Sequence, residues 1–356
     1  MLTVKSKRWL TKRALDGWDS AAFSSIFLAS AFSCSQTEST PAHPQVTQTV
    51  RRLIFHSHRK MKQKIAYWIR MLGFAVITLY VLSVGGFAWL QANAATRPAR
   101  HEICCVSPHD FGAEYESIIM TTPDDIQLFG WYIPSQNGAA VILFGSRVGT
   151  LVYAEMLYSN GYGVLMYDQR ASGESEGEMR SWGWQDVADT RVAIDFLRER
   201  SDVEFERIGV LGCSTGAEIA IGSGAQYEDI QAVIADGAFW VTADDTWPPY
   251  GFMDWIGWPF YPLFIEMVEW NSGVVTPMSL KEAVTQISPR SLFLIAAGEN
   301  GYEQSRAQQY YERASEPKEY WIVEGASHCG GPNVQPLEYE NRIIDFFDRA
   351  LLSSGE

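Results

Sequence analysis

From residue 116 onward, short apolar runs alternate with amphipathic stretches of helical period. The runs at 116–121, 126–133, 139–144, 162–167, 207–211, 231–235, 291–297 and 319–323 predict strands. They are rich in β-branched and aromatic residues and bounded by turn formers. Pro123-Asp124-Asp125 separates the first two and reads as a hairpin turn. Between the later runs the period changes: in 184–198, Trp184, Val187, Ile194 and Leu197 fall on one helical face, and near the C-terminus Ile343, Phe346, Phe347, Ala350 and Leu351 do the same. A hairpin followed by repeated β-α units predicts an α/β fold, a mostly parallel eight-stranded sheet with helices on both faces.

The alternation breaks once, over 238–289, where Trp240, Trp247, Tyr250, Phe252, Trp255, Trp258, Phe260, Tyr261, Phe264 and Trp270 crowd together. An insertion there predicts a helical cap over the carboxyl edge of the sheet, where open α/β folds bind ligands. The expected role is to line a pocket for an apolar substrate group. A subdomain with its own aromatic core, or a surface resting on a membrane, are the alternatives.

A different pattern precedes the sheet. Residues 71–90, MLGFAVITLYVLSVGGFAWL, carry no charge, and at about 1.5 Å per residue they match the thickness of a bilayer core. Arg51, Arg52, Arg59, Lys60, Lys62, Lys64 and Arg70 stand upstream, and only Arg97 and Arg100 stand close downstream. The positive-inside rule then places the N-terminus in the cytoplasm and the rest outside. Ala92-Asn93-Ala94 also fits a signal-peptidase site, and a start at Met61 would make 61–94 a signal peptide. The apolar run exceeds the usual signal core, which favours an uncleaved single-pass anchor; cleavage near Ala94 would give a secreted protein. The expected organisation is a basic, partly low-complexity segment at 1–70, a membrane helix at 71–90 and a globular domain at 98–356.

Charge sharpens this division. The net charge of −14 conceals a balance of +9 over residues 1–70 and −23 over the remainder. So acidic a globular part excludes nucleic acid as a partner. Five cysteines make no disulfide framework in a chain this long. Cys104 or Cys105 is the candidate for one bridge, while Cys213 and Cys329 read as small apolar packing residues. No C-x-x-C or H-E-x-x-H spacing is present, and no metal or cofactor is expected.

The chemistry centres on Gly212-Cys213-Ser214-Thr215-Gly216. A strand precedes this G-x-S-x-G and a helix follows it, so Ser214 sits at a sharp elbow with its hydroxyl exposed at the sheet edge. A serine hydroxyl needs a base, and the base needs a carboxylate. Of six histidines, only His328 follows a late strand, in the loop Glu324-Gly325-Ala326-Ser327-His328. Glu299, at the end of the 291–297 strand, is the first candidate for the acid; Glu303 and Asp236 are the alternatives. Backbone N–H groups of Thr215 and Ser146 are the expected oxyanion donors. Arg147, beside Ser146, is a candidate for binding an anionic group.

These residues resemble the α/β-hydrolase superfamily, in particular its membrane-anchored or secreted serine aminopeptidase/BEM46-like members. Besides G-C-S-T-G, the run Tyr167-Asp168-Gln169-Arg170-Ala171-Ser172-Gly173-Glu174-Ser175 matches that family's Y-D-x-R-G-x-G-x-S loop, and Gly325-Ala326-Ser327-His328 its histidine loop. The resemblance covers about Cys104 to the end and implies a Ser214–Glu299–His328 triad acting on esters, thioesters or amides. Departures are Phe144-Gly145 in place of His-Gly, Ala171 in place of a glycine, and a shortened acid loop with Gly301 where an aspartate is usual. The expected function is a serine hydrolase of carboxylesterase type. An aminopeptidase-like serine peptidase and a catalytically silent binding module are the rivals.

Overall fold

The computed structural model describes residues 44–100 and 103–353. Most of the low-complexity segment therefore lies outside the described residues. The chain divides into two compact units, Met1–Leu72 and Gly73–Glu356.

Eight strands form one sheet: β1 (Glu116–Thr121), β2 (Gln127–Ile133), β3 (Ala140–Phe144), β4 (Gly163–Tyr167), β5 (Ile208–Cys213), β6 (Ile230–Asp236), β7 (Ser291–Ala297) and β8 (Lys318–Val323). Their order is β1-β2-β4-β3-β5-β6-β7-β8. β2 runs antiparallel to both neighbours, β1 and β4, and every other pair is parallel. β3, β4, β5 and β6 are almost wholly buried, as strands covered on both faces must be.

The helices are α1 (Pro44–Thr96), α2 (Leu151–Ser159), α3 (Trp184–Arg198), α4 (Thr215–Gln226), α5 (Phe252–Gly257), α6 (Phe260–Ser272), α7 (Leu280–Ala283), α8 (Gly301–Arg313), α9 (Gly331–Val334) and α10 (Pro336–Phe347). On one face of the sheet, side chains of α3, α4, α6 and α7 share a core with Ile142, Val210 and Val233. On the other, α2 and α10 pack with Val141, Leu211 and Ile234. From β3 the chain steps outward to β4, then crosses back to β5 on the opposite side. The loops after β3 and β5 are thereby left side by side at a switch point, the position where this architecture opens a crevice.

Between β6 and β7 lie α5, α6 and α7. This insertion has both a core and a shell. Trp182, Trp240, Tyr261 and Phe264 pack ring against ring, while Phe252, Met253, Trp255 and Trp270 are exposed.

The second unit begins at Gly73, inside the apolar run, where the sequence suggests residue 98. The reason is packing: Ala88, Ala92 and Thr96 on α1 are fully buried, and Phe87 meets Phe260 of α6 with ring centroids 5.4 Å apart. Among the described residues, one helix is long and apolar enough to cross a membrane, judged by length and composition.

Candidate active site

Ser214 joins β5 to α4 with φ 58° and ψ −127°, a conformation that costs an L-residue on the order of 1–3 kcal/mol and is held only where the surroundings impose it. The two glycines of the motif make it possible. A Cβ at Gly212 would stand 2.2 Å from the Gly216 backbone, and one at Gly216 would stand 2.3 Å from the Phe144 carbonyl oxygen. Strand, elbow and helix thus touch through bare backbone, and the Ser214 N–H donates to the Asp236 carbonyl at 2.9 Å.

His328 leaves β8 through a short loop and is half-buried. Its Nδ1 lies 2.7 Å from Oε2 of Glu303. Phe239 covers the imidazole at 4.8 Å between centroids, and the ring lies against Gly237, where a Cβ would approach Cε1 to 2.8 Å. Ser214 and His328 therefore meet the same strand end, residues 236 and 237. A disulfide between Cys213 and Cys329, with Cα atoms 6.0 Å apart, joins the residue before the serine to the residue after the histidine.

Glu303, in the first turn of α8, is fully buried. Its Oε1 accepts the Ala297 N–H at 2.6 Å, and Oε2 also accepts from Asn300 Nδ2 at 3.3 Å. The Asn300 side chain in turn accepts the Glu303 N–H and caps the helix. The hydrogen bond to Glu303 holds His328 above the usual imidazole pKa, and the nearby charges of Glu303 and Asp236 act in the same direction.

Three expectations are corrected here. Glu299 is not the carboxylate at His328: it is exposed, and its N–H pairs with the Ala326 carbonyl, tying the two loops together. The shortened loop starts α8 early and delivers the carboxylate one helical turn later, from Glu303. Asp236 is buried and spent elsewhere, since its Oδ2 accepts from Tyr339 Oη at 2.7 Å; burial pushes it up to about 6. Cys213 and Cys329 are the bridged pair, whereas Cys104 and Cys105 are free and exposed. A sequence separation of 116 gives no local sign of that bridge.

Ser146 follows β3 and Thr215 opens α4, and Phe144 pairs with Gly212 across the two strands. Nearby amides are engaged: Arg147 N–H donates to Asp168, and Ala217 and Glu218 N–H to the Ser214 carbonyl. Among the described residues the Ser146 and Thr215 N–H groups have no protein acceptor. Arg147 itself is unavailable to a ligand. It is buried against Asp168 and Glu174 and lies over Trp131.

Glu218 was missed by the sequence reading altogether. It is 4% exposed; one carboxylate oxygen accepts the Phe239 and Trp240 N–H groups, fastening the entry of the cap, and the other has no partner in the protein. Burial pushes it up to about 8. It borders a cavity of about 430 Å³ shared by Trp182, Trp184, Ile219, Val241 and Met278. Neither Ser214 nor His328 lines this cavity, which lies along α3 and α4.

Comparison with known proteins places the chain in a family and a fold. The family model for X-Pro dipeptidyl-peptidases (S15 family) matches residues 39–329. The chain belongs to that family of α/β hydrolases. YfhR of Escherichia coli (strain K12) is similar to this S15-family protein, 28% identical over 258 residues that cover 66% of the chain and 81% of YfhR. The structure of the Pyrococcus furiosus esterase Pf2001 superposes with a TM-score of 0.58 at 26% identity, covering 72% of this chain and 99% of the esterase. The structure of PA2218 from Pseudomonas aeruginosa shares the fold, with a TM-score of 0.53 at 19% identity, covering 71% of this chain and all of PA2218. This S15-family protein is thus a hydrolase of the α/β superfamily.

Proposed function

We propose that this S15-family protein is a membrane-tethered serine hydrolase that cleaves carboxylic esters. The observation that carries the reading is the hydrogen bond between His328 Nδ1 and the buried Glu303, on a loop that the Cys213–Cys329 bridge fastens beside Ser214.

In the proposed mechanism, His328 Nε2 takes the proton of the Ser214 hydroxyl as its oxygen attacks the ester carbonyl. Glu303 fixes the tautomer, with the proton on Nδ1, and stabilises the imidazolium that forms. Thr215 and Ser146 N–H groups receive the oxyanion; one such donor is worth on the order of 10²–10³ in rate. His328 then returns its proton to the leaving alcohol, and water, activated by the same imidazole, releases the acid from Ser214. Residues 71–90 act as the anchor, with the acidic domain on the extracytoplasmic side.

The test is covalent labelling with a fluorophosphonate probe. Wild-type protein should be labelled and Ser214→Ala should not; equal labelling of both would refute the scheme. A second reading, peptide hydrolysis, is favoured by the family's description as X-Pro dipeptidyl-peptidases. Comparing p-nitrophenyl esters with Xaa-Pro anilides separates the two. A wild-type kcat/KM at least tenfold higher on the anilides would replace the esterase assignment.

A further inference from the structure

The insertion between β6 and β7 runs alongside α1 over a long distance. Near its far end, Tyr80 Oη donates to the Ile256 carbonyl at the end of α5. Phe87 stacks on Phe260, and at the near end Asn271 reaches Thr96 at 3.4 Å. α6 and the last part of α1 therefore lie side by side in the same direction, 260 beside 87 and 271 beside 96.

This contact has a consequence for the apolar run at 71–90. Tyr80 is ten residues inside its outer end, a depth of about 15 Å at the α-helical rise. Were the whole insertion in water, only 71–79 would remain for lipid, roughly 14 Å of helix against a core of about 30 Å. Either α1 does not span, or the insertion enters the membrane with it.

The surface of the insertion decides between these. Residues 247–265 contain one charged side chain, Asp254, whose carboxylate accepts the Tyr250 N–H at 2.8 Å and the Tyr261 hydroxyl at 3.0 Å. α5 has no buried residue, yet Phe252, Met253 and Trp255 are 78, 75 and 56% exposed. Helices in water do not present such a face. Leu79, Val81 and Leu82 on α1 are also bare, so exposed apolar side chains stand on both elements around the Tyr80–Ile256 contact. Trp270, 89% exposed, sits level with the outer end of α1, where membrane proteins place indoles at the headgroup boundary.

We propose that α5 and the start of α6 are immersed in the outer leaflet of the bilayer beside α1, and that the substrate is a lipid-borne, long-chain ester drawn from that leaflet. The substrate half of this inference rests on the ester-hydrolase reading above. Its route is aromatic. Tyr250, exposed on the insertion, meets Tyr302 at 6.2 Å between centroids; Tyr302 meets Phe239 at 5.8 Å; and Phe239 covers His328. An acyl chain leaving the leaflet past Tyr250 meets apolar rings up to the imidazole.

The experiment uses the full-length protein reconstituted in phosphatidylcholine vesicles. With Cys34, Cys104 and Cys105 replaced by serine, a nitroxide is attached through Met253→Cys, Trp270→Cys or Leu337→Cys in turn. Leu337, on α10, is 75% exposed and remote from the insertion in the chain. Collisions with dissolved oxygen should exceed those with an aqueous nickel chelate most at 253 and less at 270, and the order should reverse at 337. Nickel access at 253 equal to that at 337, or shielding of 253 from both reagents as beneath a protein partner, overturns the immersion.

A second arm reads turnover. Phe252→Glu/Met253→Glu should lower hydrolysis of a long-chain ester embedded in vesicles at least tenfold and change hydrolysis of a water-soluble short-chain ester less than twofold. Equal effects on both overturn the substrate claim. Wild-type protein inactive on both esters counts against the hydrolase reading and leaves the nitroxide result standing.

Discussion

Cys213 and Cys329 are bonded to each other, and each is the chain neighbour of a residue proposed to do chemistry. The bridge closes a loop of 116 residues, and closing loops of that length contributes about 2–4 kcal/mol in typical cases. Both cysteines are partly accessible, so a soluble dithiol can reach them. Activity should fall at least tenfold as the two thiols appear in a thiol titration and return on reoxidation, and Cys213→Ala/Cys329→Ala should lower the thermal midpoint. Full activity with both thiols free would reduce the bridge to a staple without influence on His328.

The acid is assigned by comparing two amides. Glu303→Gln should lower kcat by about 10³–10⁴, because the proton would then favour the wrong imidazole nitrogen, while Glu299→Gln should stay within about twofold of wild type. The pH profile supplies an independent sign. His328 acts as a base only when neutral, and its pKa lies above the ordinary value because of Glu303. The ascending limb of kcat/KM should thus lie at higher pH than for a free imidazole, and in Glu303→Gln it should move to lower pH. A limb that does not move would separate Glu303 from the histidine.

Glu218 makes stability depend on pH. Its folded-state pKa of about 8 exceeds the unfolded value near 4.3. Between these values the folded form keeps a proton that the unfolded form has lost, so stability falls as pH rises through the window. Asp236 and Asp186, both pushed up to about 6 by burial, add to the fall at its lower end. Glu218→Gln can still accept the Phe239 and Trp240 N–H groups but cannot ionise. Melting curves at pH 5 and pH 8 in detergent should show a smaller loss for the variant, with a gain over wild type at pH 8 of more than about 1 kcal/mol. Parallel curves for the two proteins would refute this.

Gly212→Ala places its methyl 2.2 Å from the Gly216 backbone, which cannot retreat without moving the elbow. It should destabilise by more than about 2 kcal/mol and abolish fluorophosphonate labelling even where folded protein is recovered. Gly257→Ala, where nothing lies within 4 Å, is the control and should label normally.

The sheet was readable from the chain because its strands are buried runs punctuated by turn residues, and all eight fall within a few residues of the expected limits. The elbow and the histidine loop were readable because each is local: the glycines are contiguous with Ser214, and His328 follows a strand directly. The carboxylate that meets His328 is Glu303, an alternative in the sequence and not the first candidate, because one turn of helix separates it from Glu299 and the start of α8 depends on the Asn300 cap, a finer boundary than periodicity resolves. The disulfide and the Tyr339–Asp236 bond join distant segments, so nothing local announces them. Nor did the pattern reveal that the aromatic insertion would divide into an inner core and a bare outer face, because both use the same residue types.

The bond from Tyr339 to Asp236 reaches the elbow, since the Asp236 carbonyl receives the Ser214 N–H. Ser214 and Tyr339 stand far apart in the sequence, yet two hydrogen bonds through Asp236 join them. A fault confined to α10, such as loss of the Tyr339 hydroxyl, would therefore be felt at the elbow, although the two segments share no local stretch of chain.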